Sequence, residues 1–271
     1  MKIAIIGSAG TLGSCTTYTL ALKGLADEIV LLDTNSNLLL AHLMDINTAI
    51  TGIQNTQIWA GSDEDLHHSD IVLVVAGIPY QAASSHLDRL RGNLSLIREI
   101  TQKIETYCPE AVVITATNPV DSINLGMFLM STALNRKRLL GYDLNDSLRF
   151  RQAVAKEAKQ RLKLEVPNML KSYIKLGINR TAGWTSAAGI SQMVESISAD
   201  LKKVIPCSAV LDGEYGYKGI SMGVPVILGR QGIDRIIELD LAPDEQRDLH
   251  HNARELEAKA RLVKEFVSEN K

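Results

Sequence analysis

Aromatic residues make up only 4% of this 271-residue chain, and there are three cysteines, at 15, 108 and 207. So few aromatics argue against a base-stacking platform for nucleic acid. The cysteines lie far apart and are odd in number, with no CxxC or Cys/His ligand spacing, so neither a disulfide framework nor a zinc site is indicated. Charge of one sign is also missing: 29 basic against 31 acidic residues leave a net charge of −2 and a pI near 6.3. That balance gives no reason to expect nucleic acid or a membrane as a partner. The first strand is expected within two residues of the start, and no later apolar run reaches the length of a membrane span. A reduced, cytoplasmic protein is the expectation.

The sequence has instead 45% hydrophobic residues, enough for a substantial core, arranged as short β-branched runs between helical patterns. Strands are expected at 2–7, 28–33, 56–61, 70–77 and 111–117, and helices at 11–24, 37–50 and 87–108. The runs are apolar nearly throughout, as when helices cover both faces of a sheet. This predicts an α/β fold with a doubly wound parallel sheet. The second half differs, with helices expected at 145–162, 185–201 and 243–269 and strands at 204–211 and 223–229. A boundary near Gly141 divides a first domain, 1–141, from a smaller α+β domain, 142–271.

Gly7, Gly10 and Gly13 stand where the first strand hands over to a helix. Glycines there serve a tight packing turn, or a cradle in which backbone amides and the helix dipole receive a diphosphate. No GK[ST] follows, which disfavours a nucleoside-triphosphate loop. Asp33 closes the second strand about twenty residues on, where a carboxylate accepts hydrogen bonds from an adenosine ribose and repels a 2′-phosphate; its plainer role is to cap the next turn. Strand, glycines, helix, strand and acid together favour dinucleotide binding, with NAD as the cofactor.

Five stretches carry a family resemblance. "GSAGTLG", "VVAGIPY", "TNPVD" (117–121), "NDSLRFR" (145–151) and "GEYGYKGISMGVPVILGRQGIDRIIELDLAPDEQ" (213–246), in that order, resemble the L-lactate/malate dehydrogenases. The glycine spacing and "GIP" are closer to the malate branch. The resemblance implies a Rossmann domain binding NAD and a small 2-hydroxy or 2-oxo acid as substrate. It also implies a homodimer or homotetramer. Asn118 would hydrogen-bond substrate near the nicotinamide, although an Asn-Pro turn is its bland alternative. Arg149 would grip the substrate carboxylate with its planar fork, against a plain surface arginine. Asp146, one helical turn earlier, would orient a histidine that exchanges a proton with the substrate, against a simple N-terminal helix carboxylate.

That histidine belongs to a "GxHG" segment. The six histidines here are His42, His67, His68, His86, His250 and His251, none between residues 87 and 249, and a few dozen residues that normally intervene are missing. Tyr80 stands where the family has the arginine or glutamine that selects substrate, and His86 where it has a carbonyl-polarising arginine. His86 also reads as an ordinary loop histidine. Thr181 is the nearest counterpart of a threonine beside the nicotinamide. Two functions therefore follow: an NAD-dependent malate- or lactate-type dehydrogenase, or a catalytically silent NAD-binding relative. A relative of the NAD- and manganese-dependent glycosidases needs a Cys/His metal pair that is not visible.

Overall fold

The computed structural model describes residues 1–78, 86–144 and 183–270. The first six strands are β1 (Lys2–Ile6), β2 (Glu28–Leu32), β3 (Gln57–Ala60), β4 (Ile71–Val74), β5 (Val112–Thr115) and β6 (Leu139–Tyr142). They pair in parallel in the order β3-β2-β1-β4-β5-β6. Every residue of β4, β5 and β6 is buried, so these strands show no polar face. The intervening helices are α1 (Thr11–Leu22), α2 (Ser36–Ile50), α3 (His86–Tyr107) and α4 (Val120–Met130). Strand order reverses between β1 and β4, and in such sheets ligands bind in the crevice outside the carboxyl ends at that point.

After residue 182 come α5 (Trp184–Ser198), β7 (Lys203–Asp212), β8 (Lys218–Gly229), β9 (Gly232–Ile236) and α6 (Pro243–Glu269). Among the described residues the nine strands form one continuous sheet, with β7, β8 and β9 added antiparallel beyond β6. The helices pack in two groups: α1 against α2 and α5, and α4 against α3 and α6. No described helix is long and apolar enough to cross a membrane.

The doubly wound sheet and twelve of the thirteen expected elements are present. Three elements were not expected from the sequence: α4, β6 and β9. α4 is buried continuously from Ser122 to Met127, and a helix covered all round loses the apolar stripe that announces one. β6 is four residues long, and two of the five residues of the edge strand β9 are exposed. β8 starts at Lys218, five residues before the expected strand, because a lysine and a positive-φ Gly219 disguise its opening. The helix expected at 145–162 lies outside the described residues.

β6 and β7 are held by two residue pairs, Gly141↔Ser208 and Tyr142↔Cys207. A buried polar chain reinforces this junction. The Ser208 hydroxyl donates to the Asp121 carboxylate (2.5 Å) and lies 2.9 Å from the Ser221 hydroxyl. Asn124 donates to Ser221 Oγ (3.0 Å) and to the Ser208 carbonyl (3.2 Å). Thr115 Oγ1 reaches the Asn124 carboxamide oxygen and the Leu140 carbonyl at 3.4 Å each. The chain thus ties β5, α4, β6, β7 and β8 together, and each hydroxyl within it has a partner, as low dielectric demands.

Burial raises the Asp121 carboxyl above its usual value, against smaller lowering effects from the Ser208 hydroxyl and from Lys259 on α6. The native state therefore holds the proton to higher pH than the unfolded chain does, and this contribution to stability is lost as pH rises through the raised native value. An Asp121→Asn variant, which keeps the acceptor and loses the charge, should melt above the parent at pH 7. The gap should narrow as pH falls towards 4, in paired thermal melts across that range.

Candidate functional site

Parallel strands put all their carboxyl ends on one edge, so the β1, β2, β4 and β5 exits are neighbours there. Gly7 leaves β1 with φ +93°, in the region that favours glycine. A Cβ on it would lie 2.5 Å from Ala76 Cα, in the β4 exit. The N–H groups of Gly7 and Ser8 both donate to the Leu32 carbonyl (2.9 and 3.2 Å), and Gly10 N–H donates back to the Gly7 carbonyl (3.2 Å). Gly13 lies inside α1, buried, where a Cβ would be 2.5 Å from Ser8 Cα. The first and third glycines are thus required by close packing. Gly10, the N-cap of α1, has only an ordinary contact at its Cβ position, 3.4 Å from Gly7 O.

With the amides of residues 7 to 10 engaged inside the loop, the N–H groups of Thr11, Leu12 and Gly13 remain. They have no acceptor among the described residues, and no side chain caps the helix. Three free donors at the positive end of a helix dipole beside an uncrowded glycine suit a diphosphate.

Asp33 combines both roles open to it in the sequence. One carboxylate oxygen accepts from Ala9 N–H (2.9 Å), bracing the glycine loop, and the other from Asn35 N–H (2.9 Å), closing the turn into α2. A carboxylate has about four acceptor positions, so each oxygen retains one for ribose hydroxyls. The site's residues fit a dinucleotide with an unphosphorylated adenosine ribose.

On the other flank the β4 and β5 exits are bound to each other. Thr117 Oγ1 donates to the Ala76 carbonyl (2.5 Å). Asn93, on α3 and only 3% exposed, accepts from Ile78 N–H (2.9 Å) and donates to the Asn118 carbonyl (2.9 Å). Asn118 itself is exposed, and its carboxamide has no partner among the described residues. Sequence reasoning missed Asn93. The signal was there: Leu90, Leu94, Ile97 and Ile104 form the buried stripe of α3, and a carboxamide at position 93 falls within it, where only a satisfied polar group is tolerated.

The structure brings Gly7, Gly10, Gly13 and Asp33 together around one loop and sets Asn118 on the same sheet edge. Tyr80, Asp146, Arg149 and Thr181 lie outside the described residues, as does the side chain of His86. His250, exposed on α6, hydrogen-bonds through Nδ1 to the Tyr217 hydroxyl, and His251 stays exposed, 3.8 Å from Glu255. The three cysteines are buried and free. Burial pushes the Cys108 thiol up to about 11 and Cys207 higher still, which leaves neither as a nucleophile at neutral pH.

Gly13→Ala should force α1 off the Ser8 backbone, costing about 1–3 kcal/mol in urea melts. NADH affinity, read by fluorescence titration, should fall in the same variant because the three free amides move with the helix.

Two family models match the chain in tandem. The lactate/malate dehydrogenase NAD binding domain covers residues 1–141, and the alpha/beta C-terminal domain of the same family covers 144–267. The malate dehydrogenase of Natronomonas pharaonis is 31% identical over 294 aligned residues, spanning 94% of this chain and 96% of the relative. That of Sorangium cellulosum is 32% identical over 312, spanning 97% of each. Both alignments exceed the 271 residues of this chain, so these relatives carry stretches with no counterpart here. Among solved structures, malate dehydrogenase from Salinibacter ruber shares the fold over the whole of both chains (TM-score 0.88, 23% identity). The lactate dehydrogenase of Cryptosporidium parvum, solved with lactic acid and nicotinamide adenine dinucleotide, superposes with a TM-score of 0.84 at 26% identity, over 97% of this chain and 98% of that one. With the glycine loop, the acid that follows β2 and both family models in agreement, the chain belongs to the lactate/malate dehydrogenase family, whose cofactor is NAD and whose chemistry is the oxidoreduction of small hydroxy acids.

Proposed function

We propose that this chain is a malate-type dehydrogenase, with oxaloacetate preferred to pyruvate as the 2-oxo acid. The observation that carries the reading is the set of three unpartnered amides at the start of α1 beside the Asp33 carboxylate. In this reading the amides of Thr11, Leu12 and Gly13 take the diphosphate and Asp33 takes the ribose. The exposed Asn118 carboxamide orients substrate against the nicotinamide ring. NAD, when bound, accepts the hydride of the hydroxy acid or returns it to the oxo acid.

Arg149 and Asp146 complete the proposal from the sequence alone. A guanidinium pairs with a carboxylate through two parallel hydrogen bonds, which fixes a small 2-oxo acid in one orientation. Asp146 stands where the family orients its proton-transferring histidine, which has no counterpart at that place in this chain. Because no histidine stands between residues 87 and 249, turnover is expected about 10²–10⁴-fold below that of a histidine-bearing relative, the usual share of acid–base catalysis. The substrate part begins after Gly141, and the buried free cysteines suit a reducing cytoplasm.

Self-association fits the surface of α2, where Leu38, Leu40 (49%) and Met44 (72%) are exposed on one helix. Leu40 and Met44, four residues apart, share one face of the helix, and exposed apolar surface there suits an interface. Light scattering on the purified protein should give a homodimer or homotetramer, a multiple of 29.6 kDa, and Met44→Glu should shift it towards the monomer.

The activity is tested by mixing the protein with NADH and either oxaloacetate or pyruvate. Oxidation of NADH should be faster with oxaloacetate, and Arg149→Met should lower kcat/KM roughly a hundredfold, the loss of two charge-assisted hydrogen bonds. NADH that binds but is never oxidised by either acid would overturn the reading in favour of a silent relative.

A further inference from the structure

The buried chain at the β6–β7 junction has a direction. Asp121, as a carboxylate, has no proton to give, so Ser208 must donate to it. Ser208 has then spent its only proton, and the 2.9 Å contact with Ser221 must run from Ser221 to Ser208. Asn124 supplies Ser221 in turn. Asp121 is the terminal acceptor that orders the whole chain. Its carboxylate sits in the first turn of α4, three residues beyond Asn118, joined to it by Pro119 and Val120.

We propose that Asp121 is a positioning residue: by accepting the Ser208 hydroxyl it locks the start of α4 to β7, and so sets where Asn118 stands on the sheet edge. Three observations support this. The β6–β7 ladder has only two residue pairs, too few to fix the approach of α4 to β7 unaided. The approach is close, because a Cβ on Gly141 would lie 2.6 Å from Ser208 Cβ and 2.9 Å from Val120 Cγ2. And Asn118 is already held from the opposite side, where Asn93 on α3 takes its carbonyl. Asn118 is thus strung between two anchors, one on each flank, while its carboxamide is left free. A partly buried carboxylate is a costly way to join two elements when an apolar pair would be at least as stable; what it adds is a fixed register and direction.

The inference rests on the proposed role of Asn118 in binding the 2-oxo acid. It is tested in the full chain with Asp121→Ala, Ser208→Ala, their combination and Asp121→Asn. Asp121→Ala and Ser208→Ala should each raise KM for oxaloacetate about tenfold to a hundredfold, the penalty of an ångström-scale misplacement. NADH affinity, set by the distant glycine loop and Asp33, should stay within about twofold. The double variant should be no worse than either single one, since both remove the same bond. Asp121→Asn, which still accepts from Ser208, should restore the parental KM. Hydrogen exchange of the amides at 117–123 should quicken in Asp121→Ala and return to the parental rate in Asp121→Asn. An unchanged KM with a lower melting temperature in Asp121→Ala, or an Asp121→Asn variant as impaired as the alanine, overturns the proposal. If the parent itself does not oxidise NADH, the proposed reaction is what fails. The exchange rates at 117–123 then decide the positioning role without it.

Discussion

The cofactor edge depends on one steric constraint: at Gly7 the chain leaving β1 passes so near the β4 exit that no side chain fits between them. The positive φ at Gly7 turns the backbone so that two consecutive amides share the Leu32 carbonyl. This turn consumes the donors of the loop itself and leaves those of the first helical turn for a ligand. Gly13 serves the same end from inside α1, letting the helix start directly above the strand. Glycine is therefore used here first to make contact possible and only then to make binding possible.

Rigidity on both flanks of the cleft comes from side chains that bridge backbone segments. Asp33 ties the glycine loop to the turn into α2, and Asn93 ties the β4 exit to the β5 exit. Each uses a group with two separable hydrogen-bonding ends, and each leaves the outward-facing functionality of its neighbours uncommitted. A site built this way is ordered before ligand arrives, so less of the binding energy is lost to ordering it.

Beyond β6 the sheet changes from parallel to antiparallel without a break, and the polar chain from Thr115 to Asp121 lies under that change. Around it, α4 is buried on nearly every side, wedged against α3, α6 and the strands. The glycine loop and Asp33 are on one side of this seam. Residues 142 onwards, where the family model for the C-terminal half begins at 144, are on the other. A seam with a short backbone ladder and a directional side-chain chain keeps two halves in one register at little cost in ladder length.

Much of this was legible in the residues. Apolar strands at regular spacing between helical patterns dictated the doubly wound sheet, because strands covered on both faces need no polar alternation. The three glycines and Asp33 marked the loop proposed here for the cofactor, and the ordered motifs pointed to the family. Where burial erased periodicity the sequence was silent, as in α4, and where a strand opened on lysine and glycine, as in β8, it was misleading. Asn93 looked like an ordinary residue of the α3 helix, and Asp121 looked only like the end of the "TNPVD" motif, where no helix was expected. The sequence by itself determined which residue types stand at each strand exit, since glycine and carboxylate chemistry is local. Only the tertiary structure decided that Asn93 holds Asn118 and that Asp121 meets Ser208, 87 residues away. Such partners are set by the packing of helices on a sheet and leave no mark in local spacing.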